Sequence, residues 1–308
     1  GAPPAANRTL APSQHARGNL MKISLRRSAL YMPAANSRAL EKGRSLPADM
    51  LILDLEDSVS PDVRAEARVT VSEAIRRGGY GDREVILRIN GKDTVDWKAD
   101  LSVVAQCSPD AVLVPKINTA ADVDAIVTDL NSVEKNVETS LWLMIETPAS
   151  ILNCQQIAAC ATRYPQLQGF VIGTNDLVKD TDLQPGQDRR YLIPWLLHIV
   201  AAAKAHGLAV LDGVFNDFSD GSGFSEEASQ GRALGMTGKT LIHPQQIERC
   251  HRAFSPTDTE IAVAQRIVDA FAKEEAAGKG VINVDGKMVE RLHLEMSKSL
   301  LARAKAIR

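Results

Sequence analysis

The chain has 308 residues and a formal net charge of −2, from 36 Lys and Arg against 38 Asp and Glu, which leaves no excess charge for binding nucleic acid. Its 44% hydrophobic and 24% charged residues exclude the disordered and fibrous classes. Its length allows about two domains of roughly 150 residues or one α/β barrel of roughly 250 residues.

The first 40 residues are basic and contain no Asp or Glu. Residues 1–23, rich in Ala, Pro, Ser and Asn, predict a disordered basic tail. No apolar run reaches the ~20 residues that would span a membrane, and the tail lacks the apolar core of a secretory signal. We therefore expect a cytoplasmic protein, with the mitochondrial matrix as the alternative because transit peptides are also basic.

Eight apolar runs follow, spaced by about 30 residues, with helical patterns between them. This alternation is typical of parallel strands joined by crossover helices, and eight such units predict a (β/α)8 barrel over residues 24–254. A doubly wound open sheet is the alternative. The runs are Ser28–Pro33, Met50–Glu56, Val85–Asn90, Ala111–Lys116, Leu141–Glu146, Gly169–Gly173, Leu208–Asp212 and Lys239–His243.

Residues 255–308 predict a C-terminal extension that packs on the barrel or on a neighbouring subunit. Helical patterns cover residues 257–277 and 290–307, and a short strand precedes an Asp285-Gly286 turn. The segment is too small to form a domain of its own.

Two carboxylates, Glu146 and Asp176, follow the fifth and sixth predicted strands. Active sites of such barrels lie at the carboxyl ends of the strands, and hard oxygen ligands without His or Cys suit Mg²⁺. Helix capping explains the two acids equally well, because Thr147-Pro148 begins a helix and Leu177 follows a turn.

Two basic residues end predicted strands. Arg88 interrupts an apolar strand, where it can bind a substrate carboxylate or form a salt bridge to Glu56 or Asp57. Lys116 ends the fourth strand and offers an alternative chemistry, cleavage of a carbon–carbon bond through a Schiff base.

Motifs along the chain resemble the citrate lyase beta-subunit-like family, which includes malyl-CoA and citramalyl-CoA lyases. The resemblance implies a trimeric barrel with Mg²⁺ on Glu146 and Asp176 and with Arg88 on the substrate's carboxylate or carbonyl oxygens. The motifs are RSALYMP (27–33), DLEDSV (54–59), RIN (88–90), PKI (115–117), MIETP (144–148), GTNDL (173–177), LDGVFNDF (211–218) and GKTLIHPQQI (238–247).

The resemblance also implies binding sites outside this centre. Coenzyme A would run past Tyr31, Arg38 and Lys42, while the C-terminal extension would complete a neighbouring active site in a homotrimer. The family places an Asp in that extension where this chain has Glu290, so Glu290 is the predicted catalytic acid or base. Asp285 is the fallback.

These features together predict a Mg²⁺-dependent lyase that cleaves a 3-hydroxyacyl-CoA of the citramalyl-CoA or malyl-CoA type to acetyl-CoA and a 2-oxo acid. Supporting roles around the metal and Arg88 are predicted for Glu56, Asp57, Lys116 and Asp212. Three alternatives stay open: a citrate lyase beta subunit, a malyl-CoA thioesterase, and a CoA-ester-binding protein without catalytic activity.

Overall fold

The computed structural model describes residues 25–133, 139–273 and 278–307. The predicted basic tail, residues 1–23, lies outside these residues. Contacts divide the described chain into two units, one over residues 26–255 and one from Pro256 onward. Among the described residues, no helix is long and apolar enough to cross a membrane.

The first unit is a closed barrel of eight parallel strands in sequential order, and β8 pairs with β1. The predicted (β/α)8 barrel is confirmed, since an open sheet would leave these two strands unpaired. The strands are β1 (Ser28–Pro33), β2 (Met50–Asp54), β3 (Glu84–Arg88), β4 (Ala111–Val114), β5 (Ser140–Ile145), β6 (Leu167–Ile172), β7 (Ala209–Asp212) and β8 (Gly238–Leu241).

Helices follow every strand and form the outer layer. The helices are α1 (Ser37–Gly43), α2 (Arg64–Arg77), α3 (Trp97–Cys107), α4 (Ala120–Val133), α5 (Pro148–Leu152), α6 (Cys154–Ala159), α7 (Thr174–Thr181), α8 (Ile193–Ala205), α9 (Gly221–Ala233) and α10 (Gln246–Phe254). Two helices, α5 and α6, follow β5, and two more, α7 and α8, follow β6.

Alternation along the strands sends side chains either into the barrel or outward beneath the helices. The inward set forms a small separate core, and the outward set joins the large core below the helices. Asp54 and Arg88 continue the inward alternation of Ile52 and Ile86, and they are register partners across β2 and β3. Inward residues at the ends of strands therefore meet at the mouth of the barrel.

The seam between β7 and β8 has the shortest register of the eight. It pairs Leu211 with Gly238 and Asp212 with Lys239, whereas β1 and β2 share five register pairs. Asp212 and Lys239 follow the inward-facing Leu211 and Gly238 and point outward, where Lys239 Nζ donates to Asp212 Oδ2 at 3.0 Å.

The end of the barrel where the strands begin is closed by paired charges. Arg27 donates twice to Asp49 at 2.8 Å, and Arg26 Nε donates to Glu84 at 2.9 Å. The Arg26 guanidinium also lies 5.0 Å from the centroid of the Trp142 ring, which fills the barrel interior.

The described part of the second unit, residues 256–273 and 278–307, contains two helices and a hairpin between them. Helix α11 (Asp258–Ala272) begins at a capping box in which Thr257 and Glu260 satisfy each other's backbone amides. Strands β9 (Val281–Val284) and β10 (Lys287–Glu290) pair antiparallel around Asp285-Gly286, whose φ angles of 52° and 78° fit a two-residue hairpin turn. Helix α12 (Arg291–Ile307) completes the unit.

Candidate active site at the mouth of the barrel

Arg88 is buried at the floor of the mouth and is held by Asp54. Its Nε and Nη2 donate to the two oxygens of Asp54 at 2.6 and 2.7 Å, which is the bidentate geometry that suits a guanidinium. Burial works to raise the pKa of Asp54, but the charge and hydrogen bonds of Arg88 hold it below its ordinary value. The main partner of Arg88 is thus a residue that the sequence analysis had not selected.

The two acids that the sequence analysis did select also contact Arg88. Its Nη1 lies 2.9 Å from Glu56 Oε2 and donates to Asp57 Oδ2 at 3.2 Å. Burial raises the pKa of Glu56 to about 8, against the opposing charge of Arg88. The Glu56 side chain is 13% exposed, whereas that of Asp57 is 70% exposed.

Tyr31 lies inside the mouth and not on the outer surface of the barrel. It packs against the inward-facing core, and the Arg88 guanidinium lies 4.8 Å from its ring centroid. This geometry gives a cation–π contact that fixes the plane of the guanidinium. The predicted contact of Tyr31 with coenzyme A would therefore have to be made at the floor of the site.

Glu146 and Asp176 come together across the mouth through Lys116. The Lys116 ammonium lies 3.6 Å from Glu146 Oε1 and donates to Asp176 Oδ1. The Lys116 backbone N–H also donates to Glu146 Oε1 at 2.8 Å, and its φ of 57° lies in the left-handed region. Lys116 thus contacts Glu146 through both its backbone N–H and its ammonium, and its backbone conformation is strained.

Gly173 makes room for Glu146. A Cβ atom at position 173 would lie 2.4 Å from Glu146 Cβ and 2.6 Å from its Oε2, far inside contact distance. Only glycine fits this approach without moving the carboxylate. Thr147 then begins α5 with a capping box to Ser150, so the glutamate is fixed between a strand and a helix.

The electrostatics of this group favour a bound cation. Burial raises the pKa of Glu146 to about 7, although the charge of Lys116 opposes that shift. Burial works to lower the pKa of Lys116, but its hydrogen bond to Asp176 and the charge of Glu146 outweigh burial and raise it. An amine held as its ammonium is a poor nucleophile, so the geometry does not favour the Schiff-base alternative.

The donor set fits Mg²⁺. The Lys116 ammonium already marks a position between two carboxylates where a cation is held. Within the described residues, no three His, Cys, Asp or Glu side chains converge on one point, so a divalent ion would complete its shell with water or substrate oxygens. Mg²⁺ is commonly bound by one or two carboxylates in this way.

Asp212 belongs to a different cluster. As an outward-facing residue of β7 it is fully buried beneath α9, where Arg189 Nη1 donates to it at 2.8 Å and Lys239 at 3.0 Å. Glu227 accepts from the same Lys239 at 2.6 Å. The contacts of Asp212 therefore tie β7, β8 and α9 together and do not include Arg88, Glu146 or Asp176.

Four further residues were predicted, two on α1 and two in the second unit. Arg38 and Lys42 are exposed and one turn apart on α1, which follows β1 at the mouth end. In the second unit, the Glu290 backbone N–H donates to His293 Nδ1 at 3.0 Å. Arg266 Nε donates to Asp285 Oδ2 at 3.0 Å.

A comparison with protein families identifies the class to which this barrel belongs. The family model for HpcH/HpaI aldolase/citrate lyase matches residues 27–244, more than half of the chain, and the chain belongs to this family. The resemblance noted in the sequence is thereby confirmed.

Relatives with curated names are similar over nearly the whole chain. A (3S)-malyl-CoA thioesterase from Cereibacter sphaeroides is 44% identical over 284 residues, which cover 91% of this chain and 95% of the relative. An L-malyl-CoA/beta-methylmalyl-CoA lyase from the same species is 33% identical with the same coverage. This chain is thus similar both to a hydrolase and to a lyase of malyl-CoA.

Solved structures share the architecture. The CitE protein of Mycobacterium tuberculosis, in complex with magnesium, acetoacetate and coenzyme A, matches with a TM-score of 0.72 and 26% identity over 92% of this chain and 100% of that one. A citrate lyase from Burkholderia xenovorans matches with a TM-score of 0.80 at 24% identity over 94% of each chain, which supports the fold alone.

Proposed function

We propose that this protein is a divalent-cation-dependent enzyme of malyl-type CoA thioesters that cleaves the bond between C2 and C3 of the acyl group. The products would be acetyl-CoA and a 2-oxo acid, glyoxylate or pyruvate. The observation that carries the proposal is the position of the Lys116 ammonium between Glu146 and Asp176, beside the buried Arg88.

Glu146 and Asp176 would hold the metal, with Mg²⁺ favoured by their hard carboxylate oxygens. Bound there, Mg²⁺ would supply Lewis-acid stabilisation of the substrate's hydroxyl and carboxylate oxygens. This assignment agrees with the magnesium in the CitE complex, which is a property of that protein.

Arg88 would orient the substrate's carboxylate. Asp54 binds the Nε and Nη2 edge of its guanidinium, so Nη1 points toward Glu56 and Asp57 on the open side of the mouth. Tyr31 restricts rotation of the guanidinium plane. A cation fixed in advance stabilises negative charge that develops on the substrate without reorganising during the reaction.

Cleavage requires one group that accepts the hydroxyl proton and one group that donates a proton to the enolate carbon. The substrate hydroxyl would lose its proton to water, the C2–C3 electron pair would form the thioester enolate, and the enolate carbon would gain a proton. Glu290 is our candidate for delivering that proton, with Asp285 as its fallback, through an extension that completes a neighbouring subunit's site in a homotrimer. Sedimentation of the purified chain should then give three times the monomer mass.

Thioester hydrolysis is the second candidate, because the 44% identical relatives are named (3S)-malyl-CoA thioesterases while the lyases are 33% identical. Both reactions begin with the same bound substrate. They differ in whether the C2–C3 bond breaks or whether water attacks the thioester carbonyl.

One assay separates the candidates. Purified protein would be incubated with Mg²⁺ and malyl-CoA, and separately with citramalyl-CoA, while free thiol and 2-oxo acid are measured in parallel. Cleavage releases a 2-oxo acid without thiol, and hydrolysis releases thiol without a 2-oxo acid. Absence of both products with every ester would contradict the proposed activity and favour a CoA-ester-binding role. Activity only on a carrier-protein thioester would indicate a citrate lyase subunit.

A further inference from the structure

We propose that Lys116 is a displaceable counter-ion that sets the affinity of the mouth for its divalent cation. The inference rests on the proposed function, because it assumes that Glu146 and Asp176 bind the metal. It adds a role for a residue that touches both carboxylates and that the proposed cleavage does not itself use.

The contacts of Lys116 place its charge in direct competition with a metal. Its ammonium lies 3.6 Å from Glu146 Oε1 and donates to Asp176 Oδ1, so one cation is shared between the two acids. A divalent ion bound by these oxygens would have to take that place. The Lys116 ammonium and the metal cannot both make their full contacts.

The surroundings allow the ammonium to leave while the backbone stays in place. The Lys116 backbone N–H donates to Glu146 Oε1 at 2.8 Å, which fixes the start of the side chain. The side chain is 43% exposed, so its end can turn into solvent or toward a bound substrate without opening the core. Glu146 is almost completely buried and Gly173 holds it closely, so the carboxylate does not follow.

The Lys116 ammonium also acts on the two carboxylates while it lies between them. Glu146 and Asp176 share the Lys116 ammonium as a counter-ion, and without it the two carboxylates would repel each other. A positive charge between them keeps the two carboxylates close together, but it also lowers their affinity for the metal. Removing that charge should therefore strengthen metal binding if competition dominates, and weaken it if Lys116 chiefly positions the carboxylates.

The test measures binding of Mn²⁺ alone, by electron paramagnetic resonance, to the full chain without substrate. We expect Lys116→Met to tighten Mn²⁺ binding about 10-fold, since it removes a half-exposed competing charge. Met is unbranched like Lys, so the left-handed backbone at this position is equally strained in both proteins. Lys116→Arg retains the charge and should bind no more tightly than the natural chain.

Lys179→Met is the matched control. Lys179 lies on α7 within one turn of Asp176, is exposed, and loses the same charge without lying between the carboxylates. We expect a change of less than about 2-fold, the size of a screened surface effect. Equal tightening in both variants would indicate a general field effect and would overturn the proposal.

A second readout follows the lysine itself. Mn²⁺ should increase acetylation of Lys116 by acetic anhydride, measured by peptide mass spectrometry, because displacement frees the amine from its carboxylate partners. Labelling that is unchanged by Mn²⁺, or weaker Mn²⁺ binding by Lys116→Met, would refute displacement. If instead the natural chain and Glu146→Gln bind Mn²⁺ equally well, the proposed metal site itself fails.

Discussion

The two ends of the barrel are both built from charged residues but balance them differently. Where the strands begin, Arg26 and Arg27 face Glu84 and Asp49 one to one, and all four side chains are less than a fifth exposed. Where the strands end, two cations face five carboxyl groups, those of Asp54, Glu56, Asp57, Glu146 and Asp176. The closed end satisfies its charges internally, whereas the mouth leaves an excess of oxygen ligands.

This difference predicts which substitutions change folding stability and which change metal binding. Breaking a matched buried pair destabilises the fold because the remaining partner is left uncompensated. An excess of carboxylates repels itself and favours a bound cation. Substitutions at the closed end should therefore change the free energy of unfolding, and substitutions at the mouth should change metal binding and turnover.

Glu146→Gln should have the largest effect. Loss of partners around a metal ligand commonly costs 10–100-fold, so loss of a ligand should weaken Mn²⁺ binding and turnover by at least about 100-fold. The free energy of unfolding should change by less than about 1 kcal/mol, because a neutral amide replaces a carboxylate that burial already disfavours. Calorimetric Mn²⁺ titration and urea unfolding check both results. Glu248→Gln, at an exposed ion pair on α10, is the control and should change neither.

Asp49→Asn should show the opposite pattern at the closed end. It leaves Arg27 without its bidentate partner, and we expect a loss of about 2 kcal/mol in the free energy of unfolding. Turnover per folded molecule should stay unchanged. Asp124→Asn breaks an exposed pair with Arg163 and should cost less than about 1 kcal/mol. A loss of activity in Asp49→Asn at unchanged stability would erase the distinction between the two ends.

Gly173→Ala should displace Glu146 without removing it. The new methyl group would lie 2.4 Å from Glu146 Cβ, so the carboxylate must shift, and we expect about 10-fold weaker Mn²⁺ binding. Gly91→Ala is the matched control at the same end of the barrel, because its nearest contact would be 3.9 Å away. Equal affinities in the two variants would show that the position of Glu146 is not critical.

The smallest effect concerns His251 at the closed end. Ser28 Oγ lies 2.7 Å from its Nε2, and burial lowers its pKa below the ordinary value. Because the unfolded chain takes up the proton first, His251 makes the fold lose stability as pH falls below about 6.5. His251→Gln should remove that loss, worth less than about 1 kcal/mol. Urea unfolding at about pH 7.5 and about pH 5.5 compares the variant with the natural chain.

Much of the fold could be predicted because the relevant signals are local. The apolar run Met50–Glu56 contains β2 (Met50–Asp54), and the cap sequence Thr147-Pro148 begins α5. Closure of the barrel followed from counting eight units. The placement of Glu146 near Asp176 followed from the rule that parallel strands end on one face.

Some contacts depend on whether a strand residue faces into the barrel or toward the helices, and these were not predicted from the sequence. Asp54 and Arg88 both face inward in register, yet the predicted partners of Arg88 were Glu56 and Asp57. Asp212 follows an inward-facing leucine and so faces the helices, which alternation within β7 could have indicated. Gly173 gave no such signal, because its role depends on a close approach to another strand.

The seam between β7 and β8 shows how the ring stays closed where its backbone pairing is shortest. A ring of strands opens only by parting a seam, and parting this one would separate the fully buried Lys239 ammonium from the Asp212 carboxylate and the Gly213 carbonyl. Charge thus compensates for missing backbone hydrogen bonds at this point. Amide hydrogen exchange should find this seam opening with the whole barrel and not ahead of it.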